Sequence, residues 1–239
     1  MGFVSAGDPP DTIALNLRRV RERIDLACER AGRPPEAVTL VGVTKGVSAL
    51  RIRQAVQLGI RDVGENRCQE AEPKIAELKG QGIRWHFLGH VQSNKLGRIF
   101  DQFSTIQSVD CYGLLKKANG HLADKGISRE VLLEVNISGE RTKTGFKDED
   151  VRAFFQSGQA RHFPHLQIQG LMGIGPLTAD GNAIRRSFQG LRNLFNWVRS
   201  RDEAVRVLSM GMSQDFEVAI EEGSTMIRLG TAIFGERTV

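Results

Sequence analysis

Apolar residues recur every three or four positions across residues 12 to 31, at Ile13, Leu17, Val20, Ile24, Ala27 and Cys28. That spacing predicts an amphipathic helix, stopped by Gly32-Arg33-Pro34-Pro35. Residues 38–45 then form a continuous apolar run with a polar end, the pattern of a strand buried on both faces. Helical spacing returns over 49–58 and closes at Gly59. The rhythm continues with strands predicted at 60–64, 85–89, 105–109, 131–137, 168–174, 205–210 and 226–229. Helices are predicted between them at 66–79, 94–102, 112–124, 148–160, 182–200 and 214–221. These make about eight strand–helix steps, each able to return the chain to a parallel sheet. An open doubly wound sheet would use fewer strands and a glycine-rich first turn. The expected class is therefore α/β, a single (β/α)8 TIM-type barrel with an extra N-terminal helix that plugs or flanks its bottom.

Composition narrows the picture. The 239 residues are 40% hydrophobic and 26% charged, which suits one domain over 1–239, with residues 1–10 expected to be disordered. No linker, repeat or low-complexity segment divides it. The net charge of +5 raises the question of nucleic acid. However, bases and acids are interleaved, as in Arg18-Arg19-Val20-Arg21-Glu22-Arg23, which reads as a solvated helix face, so no nucleic-acid partner is expected. Cys28, Cys68 and Cys111 are far apart and form no CxxC, which argues against a zinc knuckle or disulfide framework and suits a reducing cytoplasm. No apolar h-region opens the chain, and no run approaches the roughly 18 apolar residues of a membrane span.

In such barrels functional groups sit at the C-terminal ends of strands, and phosphate sites favour the loops after strands seven and eight. Strand one ends in Thr44-Lys45-Gly46, strand two in Gly64-Glu65-Asn66, strand seven in Ser209-Met210-Gly211-Met212-Ser213 and strand eight in Arg228-Leu229-Gly230-Thr231. A lysine after Val41-Gly42-Val43 faces the barrel mouth, where partial desolvation favours the nucleophilic free amine. A lysine snorkelling to solvent accounts for the position equally well. Ser209, Gly211, Gly230 and Thr231 offer hydroxyls and approachable backbone N–H groups where a phosphate is expected. An amine facing such a cradle suits a phosphorylated aldehyde. His86 and His90 lie four apart on a strand and its loop, a packing arrangement and not a metal site. His162 and His165 read as surface loop residues, and Glu134 and Glu140 show no acid/base partner.

The strand ends taken together resemble a known family. Val43-Thr44-Lys45, Gly64-Glu65-Asn66, Trp85-His86-Phe87-Leu88-Gly89, Gln92-Ser93-Asn94-Lys95 and Asn136-Ile137-Ser138-Gly139-Glu140 match, in order, the pyridoxal phosphate homeostasis proteins. So do Lys143-Thr144-Gly145-Phe146, Gly170-Leu171-Met172, Leu208-Ser209-Met210-Gly211-Met212-Ser213 and the run from Arg228 to Gly235. The resemblance covers about residues 12 to 236 and implies a barrel like the N-terminal domain of alanine racemase. By matching motif it implies pyridoxal 5′-phosphate as cofactor, with Lys45 as the aldimine lysine. It further implies phosphate contacts at Ser209, Gly230 and Thr231, Asn66 near the cofactor, and Arg228 at the pyridine nitrogen. The alternative for Arg228 is a pair with a carboxylate on a neighbouring strand. The sequence departs from the family where Lys45-Gly46-Val47 replaces a run with a second lysine and a proline. Gln107 stands for a more usual histidine, and Arg67-Cys68 follows Asn66; Lys143 is retained.

The resemblance implies a cytoplasmic protein of vitamin B6 balance that carries its cofactor without catalytic turnover, alone or as a weak dimer, with PLP-dependent apoenzymes as partners. The competing expectation is a PLP-dependent amino-acid racemase. That reaction needs a base on each face of the cofactor. The sole tyrosine, Tyr112, reads instead as a packing residue at a helix start, and no second domain is expected after strand eight.

Overall fold

The computed structural model of the chain describes residues 11–137 and 144–236. Eight strands occur in it: β1 (Thr39–Val43), β2 (Asp62–Glu65), β3 (Arg84–Phe87), β4 (Thr105–Val109), β5 (Arg129–Val135), β6 (Leu166–Gly173), β7 (Val207–Ser209) and β8 (Met226–Leu229). They form a closed parallel barrel in chain order, β1 sealing against β8 from Thr39↔Met226 to Gly42↔Leu229. Closure buries both faces of every strand, which is why the sequence shows apolar runs and not strict alternation. Gly42 faces outward, since a Cβ there would meet Ile60 and Phe234 at 3.4 and 3.6 Å. Arg228, paired in register with Val41, points into the barrel.

The strands are separated by α2 (Ala49–Gln57), α3 (Cys68–Glu77), α4 (Leu96–Gln102), α5 (Tyr112–Lys125), α6 (Asp148–Gln156), α7 (Gly181–Arg199) and α8 (Phe216–Glu221). The first helix, α1 (Asp11–Arg30), buries the six residues its periodicity selects: Ile13, Leu17, Val20, Ile24, Ala27 and Cys28. It does not plug the bottom. Instead it lies along the helical ring, bound through Asn16 to the Ile233 carbonyl and through Arg23 and Arg30 to Glu217 and Glu221 of α8. Arg18, Arg19, Arg21 and Glu22 are exposed on its other face.

Several boundaries differ from expectation for local reasons. Strand β1 stops at Val43, because Thr44 to Val47 form a turn closed by Val47 N–H to the Thr44 carbonyl at 3.0 Å. Helix α6 ends at Gln156; Gly158, at φ +73°, breaks it, and a short 3-10 turn follows at Gln159–His162. Strand β7 holds only three residues, and a further helix, α9 (Thr231–Phe234), follows β8. No helix among the described residues is long and apolar enough to cross a membrane.

Candidate functional site at the barrel mouth

Two residue types meet where β1 closes on β8. Thr44 turns its hydroxyl outward to Glu65 Oε1 at 2.6 Å, and Lys45 follows it in the turn at the C-terminal end of β1, half-buried at the mouth. Beside it, Gly230 sits next to Val43: a Cβ added at 230 would meet Val43 O and Cβ at 3.5 and 3.6 Å. Those are ordinary van der Waals contacts, so Gly230 packs its backbone directly against the end of β1. Exposed Thr231 begins α9, and Ala232 N–H donates to Ser213 Oγ at 3.3 Å. Ser213 therefore joins the ends of β7 and β8, a role its position in the sequence did not single out. Gly211, at φ +97°, is needed for the return: a Cβ there would lie 2.6 Å from that of Ala219.

Arg228 lies behind this rim and is buried. Its Nη1 donates to Ser209 Oγ at 2.5 Å and its Nη2 to the Gly173 carbonyl at 2.9 Å, so its hydrogen bonds go to a hydroxyl and a backbone oxygen and not to a carboxylate. Burial pulls the guanidinium down to about 10, against the attraction of Asp215 and Glu134, and it stays a cation at neutral pH. Ser209, wholly buried, passes its own proton to Gln107 Oε1 at 2.7 Å. Gln107 Nε2 then meets His86 Nδ1 at 3.0 Å, and His86 Nε2 meets Asp62 Oδ1 at 2.9 Å. With the glutamine oriented by Ser209, His86 must carry its proton on Nε2. Arg84 completes the line on Asp62 Oδ2 at 2.8 Å.

The result is one directed hydrogen-bond chain across the barrel interior, from a cation at the mouth to a carboxylate deeper in. Burial pushes the Asp62 carboxyl upward, but the His86 and Arg84 hydrogen bonds outweigh it and hold it below the usual range. The Ser209 hydroxyl both accepts and donates within this chain. Gln107 links two otherwise separate halves of it.

Asn66 is exposed at the end of β2, where its carbonyl lies 2.1 Å from the Cβ that any side chain at Gly89 would carry. It lines a cavity of 280 Å³ with Gln69, Phe87, His90 and Lys95, on the rim between β2 and β3. The structure thus puts Lys45, Gly230, Thr231 and Arg228 on the two strand ends that close the barrel and sets Asn66 at the end of the adjacent strand, β2. Lys143 and Glu140 lie outside the described residues.

Sequence reasoning missed a titratable group across the mouth. Glu134, without a visible partner in the sequence, shares a layer with Met172 and Ser209, four strands from β1. Burial and the Asp110 charge push its carboxyl up, while Arg228 and His90 pull it down. His90 Nδ1 is 3.1 Å from Asp110 Oδ2. Asp215 is likewise raised by burial, against the Met212 N–H and Arg228. A lone charge within the apolar run 131–135 was the available signal for Glu134. Tyr112 opens α5 and packs edge-on against Phe154 and Phe163, with centroids at 6.4 and 5.5 Å. Among the described residues no group of three His, Cys, Asp or Glu is placed to hold a metal.

Known proteins resemble this chain in sequence and fold. The sequence profile described as alanine racemase, N-terminal domain, matches residues 15–238. The pyridoxal phosphate homeostasis protein of Aquifex aeolicus is 40% identical over 222 residues, covering 92% of this chain and 96% of that protein. The protein of the same name from Pseudomonas aeruginosa is 40% identical over 226 residues, covering 95% and 96%. The structure of PipY from Synechococcus elongatus with PLP bound superposes with a TM-score of 0.76 at 35% identity, covering 90% of this chain and 100% of that one. With its barrel, its strand-end lysine and this degree of identity, the chain belongs to the pyridoxal phosphate homeostasis proteins within the family of alanine racemase N-terminal domains.

Proposed function

We propose that this chain binds pyridoxal 5′-phosphate at the barrel mouth, holds it covalently through Lys45, and serves vitamin B6 balance without turning over a substrate. What supports the reading is the seam of β1 and β8, where half-buried Lys45 follows the end of β1 and Gly230, packed against Val43, leads into exposed Thr231. When bound, the cofactor supplies an aldehyde, an anionic phosphate and an aromatic ring nitrogen. The donor set fits each: an amine for the first, the Gly230–Thr231 backbone for the second, and the Arg228 guanidinium for the third. Ser209 would add its hydroxyl to the phosphate contacts, from a position where it also accepts from Arg228. Asn66 would contribute from the rim. A guanidinium opposes protonation of the ring nitrogen, so this chain holds the group without making it a strong electron sink. The partner, beyond the cofactor, is a PLP-dependent apoenzyme, met in the cytoplasm by a monomer or weak dimer. The described cysteines Cys28, Cys68 and Cys111 are all free, as that compartment requires.

Borohydride reduction followed by peptide mapping tests the anchor. The label is expected on Lys45, and Lys45→Ala is expected to lose both label and visible absorbance while keeping its fold. A label on Lys95 or Lys143 in the unmodified protein would overturn the assignment. The racemase reading draws on Glu134, which stands across the mouth from β1 with a raised carboxyl. Solvent deuterium incorporation at Cα of amino acids separates the two. Rapid, two-sided exchange that disappears in Lys45→Ala would restore the enzyme.

A further inference from the structure

The turn that carries Lys45 is gripped from outside the barrel by three charged side chains. Lys74 of α3 donates to the Thr44 carbonyl at 2.8 Å, to Glu65 Oε1 at 2.7 Å and to Glu70 Oε1 at 2.8 Å. An ammonium has three protons, and all three are used. Glu70 Oε1 also accepts the Gly46 N–H at 2.5 Å, and Glu65 Oε1 accepts the Thr44 hydroxyl. The carbonyl just before Lys45 and the N–H just after it are therefore tied to one ion triad.

The turn needs such a hold. Gly46 has φ +74° at its third position, the geometry of a type II turn. Glycine is also the residue with most backbone freedom to lose. Nor is the triad the simplest way to fill this space. Glu65 is wholly buried, and its Oε2 has no hydrogen-bond partner among the described residues. Apolar side chains of similar volume commonly match or exceed the stability of a buried ion cluster. What the charges add is direction, because each fixes a particular backbone group.

We propose that Lys74, Glu65 and Glu70 are positioning residues for Lys45, holding both of its flanking peptide groups so that its amine projects into the barrel mouth. This rests on the reading of Lys45 as the covalent anchor. The test incubates the protein with pyridoxal phosphate, quenches with borohydride at timed intervals and quantifies the labelled Lys45 peptide. In parallel, amide exchange at Gly46 is followed without pyridoxal phosphate.

Glu70→Ala removes the Gly46 acceptor from the half-exposed edge of the triad. It is expected to slow capture by about 10- to 100-fold, the scale of a misplaced reacting group. Gly46 exchange should accelerate while the core strands keep their protection. Glu70→Gln retains an acceptor oxygen and is expected to recover most of the rate and the Gly46 protection. Capture at Lys45 at the unmodified rate in Glu70→Ala, with Gly46 exchange unchanged, would overturn the triad's role and leave the anchor standing. A label on a different lysine in the unmodified protein would remove the anchor, and the positioning role with it.

Discussion

Replacing Ser209 with alanine cuts the interior chain at its middle. The substitution removes the oxygen that accepts from Arg228 Nη1 at 2.5 Å and the proton that reaches Gln107 Oε1 at 2.7 Å. Both orphaned groups are buried, and the methyl that remains bonds to neither. Losing a hydrogen bond to a charged donor costs about 1.5–3 kcal/mol, and an unsatisfied buried acceptor about 1–3 kcal/mol more. The expected destabilisation is therefore about 2.5–6 kcal/mol. At roughly 2–4 °C per kcal/mol for a chain of this size, Tm should fall by about 5–24 °C. Urea unfolding and thermal melts followed by circular dichroism measure it. Gln107→Leu should also destabilise, since it leaves the Ser209 O–H without its acceptor and His86 Nδ1 without its donor. The double variant should cost clearly less than the sum, because the two sites share a bond. A fall in Tm below about 2 °C for Ser209→Ala, or strictly additive costs in the cycle, would refute the continuous chain.

Other outcomes follow from the same geometry. Gly211→Ala forces a side chain at φ +97° and 2.6 Å from the Ala219 Cβ, so a loss of about 2–3 kcal/mol is expected in urea unfolding. Pyridoxal without its phosphate should bind at least about tenfold more weakly than the phosphorylated form, since each charge-assisted hydrogen bond forgone is worth about 1.5–3 kcal/mol; equal affinities in titration would remove the anion cradle at Gly230 and Thr231. For pH, the Asp62 carboxyl is held below its unfolded value, so its contribution is complete above about 3.9 and is lost as pH falls through the lower folded value. Asp62→Asn should therefore be less stable than the unmodified protein at neutral pH, with a gap that narrows in acid. A gap constant from pH 7 to 3 would contradict the sign.

Much of the fold was legible along the chain because it depends on local periods. The six buried positions of α1 repeat at helical spacing, and that spacing survives wherever the helix docks. What periodicity left open was the docking itself: α1 lies along α8 and α9, and three long-range side-chain bonds put it there. The strand count was readable for the same reason as α1, and with it the parallel barrel, since each apolar run is bounded by its own turn residues. At the mouth, Lys45 could be placed near a strand end, but its turn is shaped by Glu65, Glu70 and Lys74 from neighbouring elements.

Ser209 shows the limit most clearly. Its sequence context suggests a hydroxyl at a phosphate loop; its partnership with Gln107, 102 residues away, appears only in the folded barrel. Glu134 looked isolated within an apolar run, and only the layer it shares with Met172 and Ser209 sets it across from β1. A period of two tells which face of the sheet a side chain takes. The side chains it meets across the barrel are set by strand tilt and stagger, which exist only once the sheet has closed on itself.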